Sequence, residues 1–220
     1  MGIEIWQPRE QPATESISES TQNTNSTTES NSKTASPQKS WEELETCVKN
    51  CQLCALYKTR THAVFGVGNK HAKLMVVGEA PGANEDLQGE PFVGRAGMLL
   101  NAMLKAIHLD RSDVYIANIL KCRPPNNRDP SPEEVRLCTN YLLQQIDLIK
   151  PKLIVAVGRI AAHFLLNTDE SMAKLRGHKY SYGQQNTPLL ITYHPAYLLR
   201  SPREKSKSYQ DLLFIQRNLT

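Results

Sequence analysis

Apolar residues are sparse over residues 1–40 and then recur in two rhythms to the end of the chain. Residues 41–58 set Leu44, Val48 and Leu53 at near-helical spacing and predict a helix. Residues 73–78 (Lys-Leu-Met-Val-Val-Gly) form a short apolar run ending in glycine, the pattern of a buried strand. A stripe of Leu99, Leu100, Met103, Leu104 and Ile107 marks a helix over 94–109, and 113–120 reads as a second strand. Ser131-Pro132-Glu133-Glu134 is a helix start, with serine at the cap, proline at the first position and acids in the first turn. That helix runs to about Ile149. A third strand at 152–158 leads at once into a helix at 159–166, a fourth covers 189–192, and 203–218 closes the chain as a helix. Buried strands alternating with helices predict an α/β fold, a four-stranded parallel sheet covered by helices on both faces. Such sheets bind ligands at the carboxyl ends of their strands.

Composition divides the chain in two. Residues 1–40 form a Ser/Thr/Asn-rich tail that cannot bury enough apolar surface to offset its ordering entropy, so it is expected to be disordered. The folded domain is expected over 41–220. The tail holds Arg9, Lys33 and Lys39 against five glutamates, a net of −2, while the whole chain is +4, so residues 41–220 carry +6. That excess fits a polyanionic partner as well as it fits an ordinary soluble surface. No run approaches the roughly 18 apolar residues that would cross a membrane. The acidic N-terminus resembles neither a secretory signal nor a transit peptide. A cytoplasmic protein is expected, in which five cysteines are free, metal-bound or catalytic rather than disulfide-bonded.

Unusual residues gather where the strands end. Cys51 and Cys54 form a C-x-x-C motif; Cys122 follows the second strand and Cys138 sits about two turns into the next helix. Four thiolates bind Zn²⁺ or an iron–sulfur cluster, and spacing does not choose between them. Cys122 and Cys138 also read as small buried hydrophobes. Gly78-Glu79-Ala80-Pro81-Gly82 turns directly after the first strand and offers backbone N–H groups, with Glu85 close behind. Phe92 lies in a glycine-rich loop, either stacking a planar ligand such as a base or filling the core beneath the loop. Asn118, a poor strand former at a strand end, carries an amide that can read a carbonyl beside an N–H, the edge uracil presents and cytosine reverses. Residues 121–128 hold three cations and two prolines, a phosphate contact or a solvated loop. His194-Pro195 follows the last strand, where an imidazole could stabilise negative charge on a departing base. Leu198, Leu199 and Arg200 are expected on an exposed loop, where apolar side chains could wedge into a base stack.

Together Gly78-Glu-Ala-Pro-Gly82 with Glu85-Asp86, Pro91-Phe-Val-Gly-Arg-Ala-Gly97, Asn118 through Pro124, and His194-Pro195-Ala196 resemble the family 4 uracil-DNA glycosylases, the iron–sulfur branch of that superfamily. The resemblance covers about 44–213. It implies a three-layer αβα sandwich and a [4Fe–4S] cluster on Cys51, Cys54, Cys122 and Cys138, with Cys47 spare. It implies that Gly78, Glu79 and Ala80 bind a flipped uracil and help place the attacking water, that Phe92 stacks on the ring, and that Asn118 reads its edge. His194 would bond O2 as charge builds there, and Glu85 would sit near C5, excluding thymine's methyl and orienting water. Leu198, four residues after the histidine, is the implied DNA wedge. Covalently acting relatives carry an added Arg/His-containing segment after the second strand; this chain runs from Lys121-Cys122 straight into proline, which implies water as the nucleophile. The expected partner is uracil-containing DNA, single- or double-stranded, met by a monomer. The competing reading is a non-catalytic, zinc-bearing nucleic-acid-binding module.

Overall fold

The computed structural model describes residues 39–219. The expectation for residues 1–40 therefore lies outside the described residues, Lys39 and Ser40 apart. In chain order the elements are α1 (Trp41–Lys49), β1 (Val67–Gly68), β2 (Leu74–Gly78), α2 (Ala83–Gln88), α3 (Arg95–Lys105), β3 (Tyr115–Asn118), α4 (Pro132–Ile149), β4 (Leu153–Val157), α5 (Arg159–Leu166), α6 (Met172–Leu175), β5 (Tyr180–Tyr182), β6 (Thr187–Thr192), α7 (Pro195–Arg200) and α8 (Lys205–Leu219).

The sheet runs β1-β3-β2-β4-β6-β5. Its four central strands are parallel and correspond to the four predicted from the sequence. The four-stranded expectation is extended to a mixed six-stranded sheet, because the two- and three-residue strands β1 and β5 add antiparallel edges. β2 and β4 are buried at every position, so their Val- and Ile-rich runs pack on both sides. Met75, Val77, Ile154 and Ala156 face α4 and α5 through Leu142, Ile146, Ala161 and Leu165. The alternate residues Leu74, Val76, Val155 and Val157 face α3, α7 and α8 through Leu100, Leu104, Leu198 and Ile215. The period-two strand geometry thus divides one run of apolar residues between two cores, giving the αβα sandwich.

Helix ends follow local chemistry. Ser40 with Glu43, and Ser131 with Glu134, form capping boxes at the starts of α1 and α4. The helix expected over 41–58 stops at Lys49, with Asn50 at its cap, and resumes only as a 3-10 turn at Ala55–Lys58. The cysteine motif therefore lies in a bend rather than on a helix. The loop expected after His194 is instead α7, with Pro195 at the first helical position and His194 as its N-cap.

Candidate functional site

β2, β3, β4 and β6 all point their carboxyl ends at one hollow. Parallel pairing sets Gly78 beside Asn118 and Val157 beside Thr192, so the residues that follow each strand emerge at one level. Glu79, Glu85, Phe92, Asn118, His194 and Arg200 all line this hollow.

The floor is made by close approach. A Cβ on Gly78 would stand 2.4 Å from Asn118 Oδ1 and 2.7 Å from the Phe92 ring, so only glycine lets the amide and the aromatic meet over the strand end. Asn118 is 2% exposed. Its Oδ1 is buried without a hydrogen-bond partner, one of two such side-chain atoms among the described residues, the other being Asn101 Oδ1. An unmet acceptor costs about 1–3 kcal/mol, and an N–H on a ligand in the hollow would satisfy it.

Phe92 is clamped from three sides. Its φ of 55° is rare for a residue with a Cβ. Glu85 Oε1 accepts the N–H groups of Val93 (3.0 Å) and Gly94 (3.2 Å), which fixes the loop just after the ring. Arg111 donates to the carbonyls of Phe92 (3.2 Å) and Pro91. Gly97 leaves space for the Phe92 carbonyl, which a Cβ there would meet at 1.8 Å.

His194 faces Phe92 with ring centroids 5.5 Å apart. Its Nδ1 accepts the Ala196 N–H at 3.1 Å. The neutral ring therefore carries its proton on Nε2, which is left as a donor. Burial, with help from Arg200 and against Glu85, pulls its pKa from 6.5 to about 4, so the ring is neutral at pH 7. Gly158, at φ +96°, lets this side chain in; a Cβ there would come within 2.8 Å of His194 Cβ.

Glu79 is the acid of the wall. Burial first, and Asp129 second, raise its carboxyl above the ordinary value, while Arg159 opposes them. Arg159 is itself paired with Asp129 at 2.8 Å on the exposed rim. Ala80 and Gly82 complete the turn beside it.

Two sequence expectations are corrected. Leu198 is 1% exposed and packs into the core with α3 and α8, because α7 turns it inward; it cannot wedge into a base stack from there. The half-exposed residue of that helix at the mouth is Tyr197, at 36%. Lys121 is no phosphate contact either. It is 1% exposed, and its ammonium donates to Gln145 Oε1 (2.6 Å), Asn118 O (2.9 Å) and Phe65 O (3.2 Å). In the same segment Arg128 is bound to Glu134, whose carboxyl it holds down at about 2. The sequence reading missed Arg111, Gly158 and Gln145. Gly158 alone had a local signal, a glycine between a strand and a helix. The other two act from a distance in the chain.

Cys51, Cys54, Cys122 and Cys138 line a second, small hollow, brought there by the bend after α1, the end of β3 and the second turn of α4. All five cysteines are free thiols. Among the described residues no three His, Cys, Asp or Glu side chains are grouped to hold a single metal ion. Arg60 donates to Cys122 Sγ (2.9 Å) and the Lys121 N–H to Cys138 Sγ (3.2 Å). Burial pushes the Cys138 thiol up to about 12. A bare thiolate is unfavourable there, and a bound metal centre would supply the compensating charge.

Residues 65–214 match the family model of the Uracil DNA glycosylase superfamily. A type-4 uracil-DNA glycosylase of Archaeoglobus fulgidus is 46% identical over 170 residues, 74% of this chain and 85% of that protein. Another type-4 enzyme, from Thermotoga maritima, is 47% identical over 157 residues, covering 70% and 80% respectively. Identity falls to 31% over 151 residues for a type-5 uracil-DNA glycosylase of Thermus thermophilus, 60% of this chain and 68% of that protein. With the strand-end hollow and these matches together, the chain belongs to the uracil DNA glycosylase superfamily, on the side of its type-4 members.

Proposed function

We propose that this protein hydrolyses the N-glycosidic bond of uracil in DNA, leaving an abasic site for base-excision repair. The observation that carries the reading is the pairing of Asn118 Oδ1, a buried acceptor without a partner, with His194 Nε2, a donor, in one hollow. Uracil has N3–H for the first and O2 for the second. The Asn118 amide N–H would meet O4, and cytosine, with its pattern reversed, would leave Oδ1 facing a lone pair. Phe92, pinned by Glu85 and Arg111, would stack on the ring.

The reaction follows from these groups. The nucleotide flips out of the stack at a cost of a few kcal/mol. As the glycosidic bond lengthens, the sugar becomes cationic and uracil anionic. Neutral His194 stabilises O2 by donating from Nε2, and the turn at Gly78-Glu79-Ala80 offers backbone N–H groups. Glu79 orients the water that attacks C1′ and takes up its proton. Glu85, fixed on the wall by the Val93 and Gly94 N–H groups, would stand near C5 and exclude a methyl there. The exposed cations Arg159 and Arg200 at the rim suit phosphates, and Tyr197 is the aromatic available to the strand at the mouth.

Cys51, Cys54, Cys122 and Cys138 would hold a [4Fe–4S] cluster, which would tie the bend after α1 to α4. A lone zinc draws its thiolates to about 2.3 Å, and among the described residues no three such side chains are grouped to hold a single ion; the choice of iron–sulfur over zinc rests on the likeness to type-4 uracil-DNA glycosylases. Purified protein is then expected to be brown, absorbing near 400 nm; a colourless protein with one zinc per chain refutes the cluster. A DNA substrate and cysteines that form no disulfide suit the cytoplasm, where the protein would act as a monomer. No described helix is long and apolar enough to cross a membrane.

The deciding assay is a uracil-containing oligonucleotide incubated with the protein and then treated with alkali. The strand breaks at the uracil if the reading is right. Asn118→Ala is expected to lower the rate roughly 10–100-fold. An intact strand, or full activity in the variant, overturns it.

A further inference from the structure

The strangest charge in the molecule is Lys121. It is 1% exposed, and none of the ion pairs among the described residues includes it. Buried cations are found paired, because taking one out of water costs several kcal/mol that neutral partners only partly return. Here the side-chain partners are neutral oxygens: Gln145 Oε1, and the main-chain carbonyls of Asn118 and Phe65. Gln145 is held in turn by donating to Phe65 O (2.9 Å) and Tyr115 Oη (3.1 Å). The negative charge that would justify such a cation is next door. Lys121 lines the cysteine hollow, and its main-chain N–H donates to Cys138 Sγ.

The same residue touches both sites. One end of Lys121 grips a cysteine sulfur; the other grips the carbonyl of Asn118, whose side chain forms the floor of the base pocket. Asn118 closes β3, paired with Gly78, and the main chain beyond it stays tied to the neighbouring segment, with the Ile119 N–H donating to Gly78 O and the Leu120 N–H to Glu79 O (3.0 Å each). These bonds leave the Asn118 carbonyl to the Lys121 ammonium, which anchors that residue from behind the strand.

We propose that Lys121 is a positioning residue that joins the two sites: the charge of a metal–thiolate cage retains its ammonium in the core, and that ammonium in turn holds Asn118 in register to read the base. The inference rests on the uracil-reading role of Asn118 and on the four-cysteine cage. It makes base recognition depend on an intact cage through one side chain rather than through general stability.

The test compares holoenzymes of the wild type, Lys121→Met and Asn118→Ala. Three quantities are measured: iron per chain, the midpoint potential of the centre, and affinity for free uracil by calorimetry. Removing a neighbouring cation disfavours the more negative, reduced form, so Lys121→Met is expected to shift the potential downward. It is also expected to weaken uracil binding by about 10-fold, the scale of leaving a buried carbonyl without its hydrogen-bond partner. Asn118→Ala is expected to lose uracil binding with the wild-type potential. If Lys121→Met keeps both the potential and the affinity, or moves only one of them, the link is overturned. If Asn118→Ala binds uracil normally, it is the base-reading role that fails; a colourless wild type fails the cage. Should Lys121→Met not retain its metal, Gln145→Leu decides. It leaves the cation and removes one anchor, and weakened uracil binding with full iron content supports the link while unchanged binding overturns it.

Discussion

At pH 7 the His194 ring is neutral and its one proton sits on Nε2, because Nδ1 is occupied by the Ala196 N–H. The tautomer follows from a histidine used as the N-cap of a short helix at a strand end, and the neutrality from its burial there. Its proton affinity is lowered on folding, so the neutral ring contributes stability that is present above about pH 6.5 and is lost as pH falls toward about 4. His194→Gln should flatten the urea-denaturation midpoint over that window, and an unchanged pH profile would contradict the buried, neutral ring. Glu79 behaves in the opposite sense: burial and Asp129 raise its carboxyl. Its charge is lost first on acidification, so the acid limb of activity is expected above the ordinary carboxylate range. Glu79→Gln should abolish that limb in the residual activity, whereas His194→Gln should leave it. A limb that survives Glu79→Gln would assign the base elsewhere.

Among the elements, the most demanding is the segment from α2 to α3, because it holds Phe92 at a positive φ. Gly97, in the first turn of α3, leaves space for the Phe92 carbonyl. Gly97→Ala would drive a Cβ into that carbonyl, so it should destabilise the fold by about 1–3 kcal/mol and weaken uracil binding more than binding of the sugar-phosphate strand. Equal losses for both ligands would mean that the loop serves stability alone. This segment also marks where sequence reading ends. The four central strands and α3, α4, α5 and α8 were legible, because long apolar runs and stripes bury on a fixed period. α2 was hidden by its Pro-Gly entry and acidic face, and β1 and β5 by their length of two or three residues. The strand-end residues Glu79, Asn118 and His194 were legible because polar groups are conspicuous at the end of apolar strands. Leu198 was misread because a Pro-led run of six residues looks like a loop until it packs. Arg111 and Gln145 were not legible at all, since their partners are about 20 to 80 residues away in the chain.

Every residue of the proposed sites lies between Cys51 and Arg200. Deleting residues 1–38 is therefore expected to leave uracil excision unchanged in kcat/KM, and a dead truncation would make that segment part of the working enzyme. The whole sheet offers one further consequence, through its margins. β1 and β5 are the outermost strands, two and three residues long, and run against the direction of the four they flank. An outer strand exposes unpaired amides that another chain can extend, and short margins give it little to grip. The long, uniformly apolar strands β2 and β4, the segments best suited to seed a fibril, are paired on both sides. The molecule therefore shields its own most adhesive segments, and concentrated solutions should remain dispersed as long as the two margins stay seated.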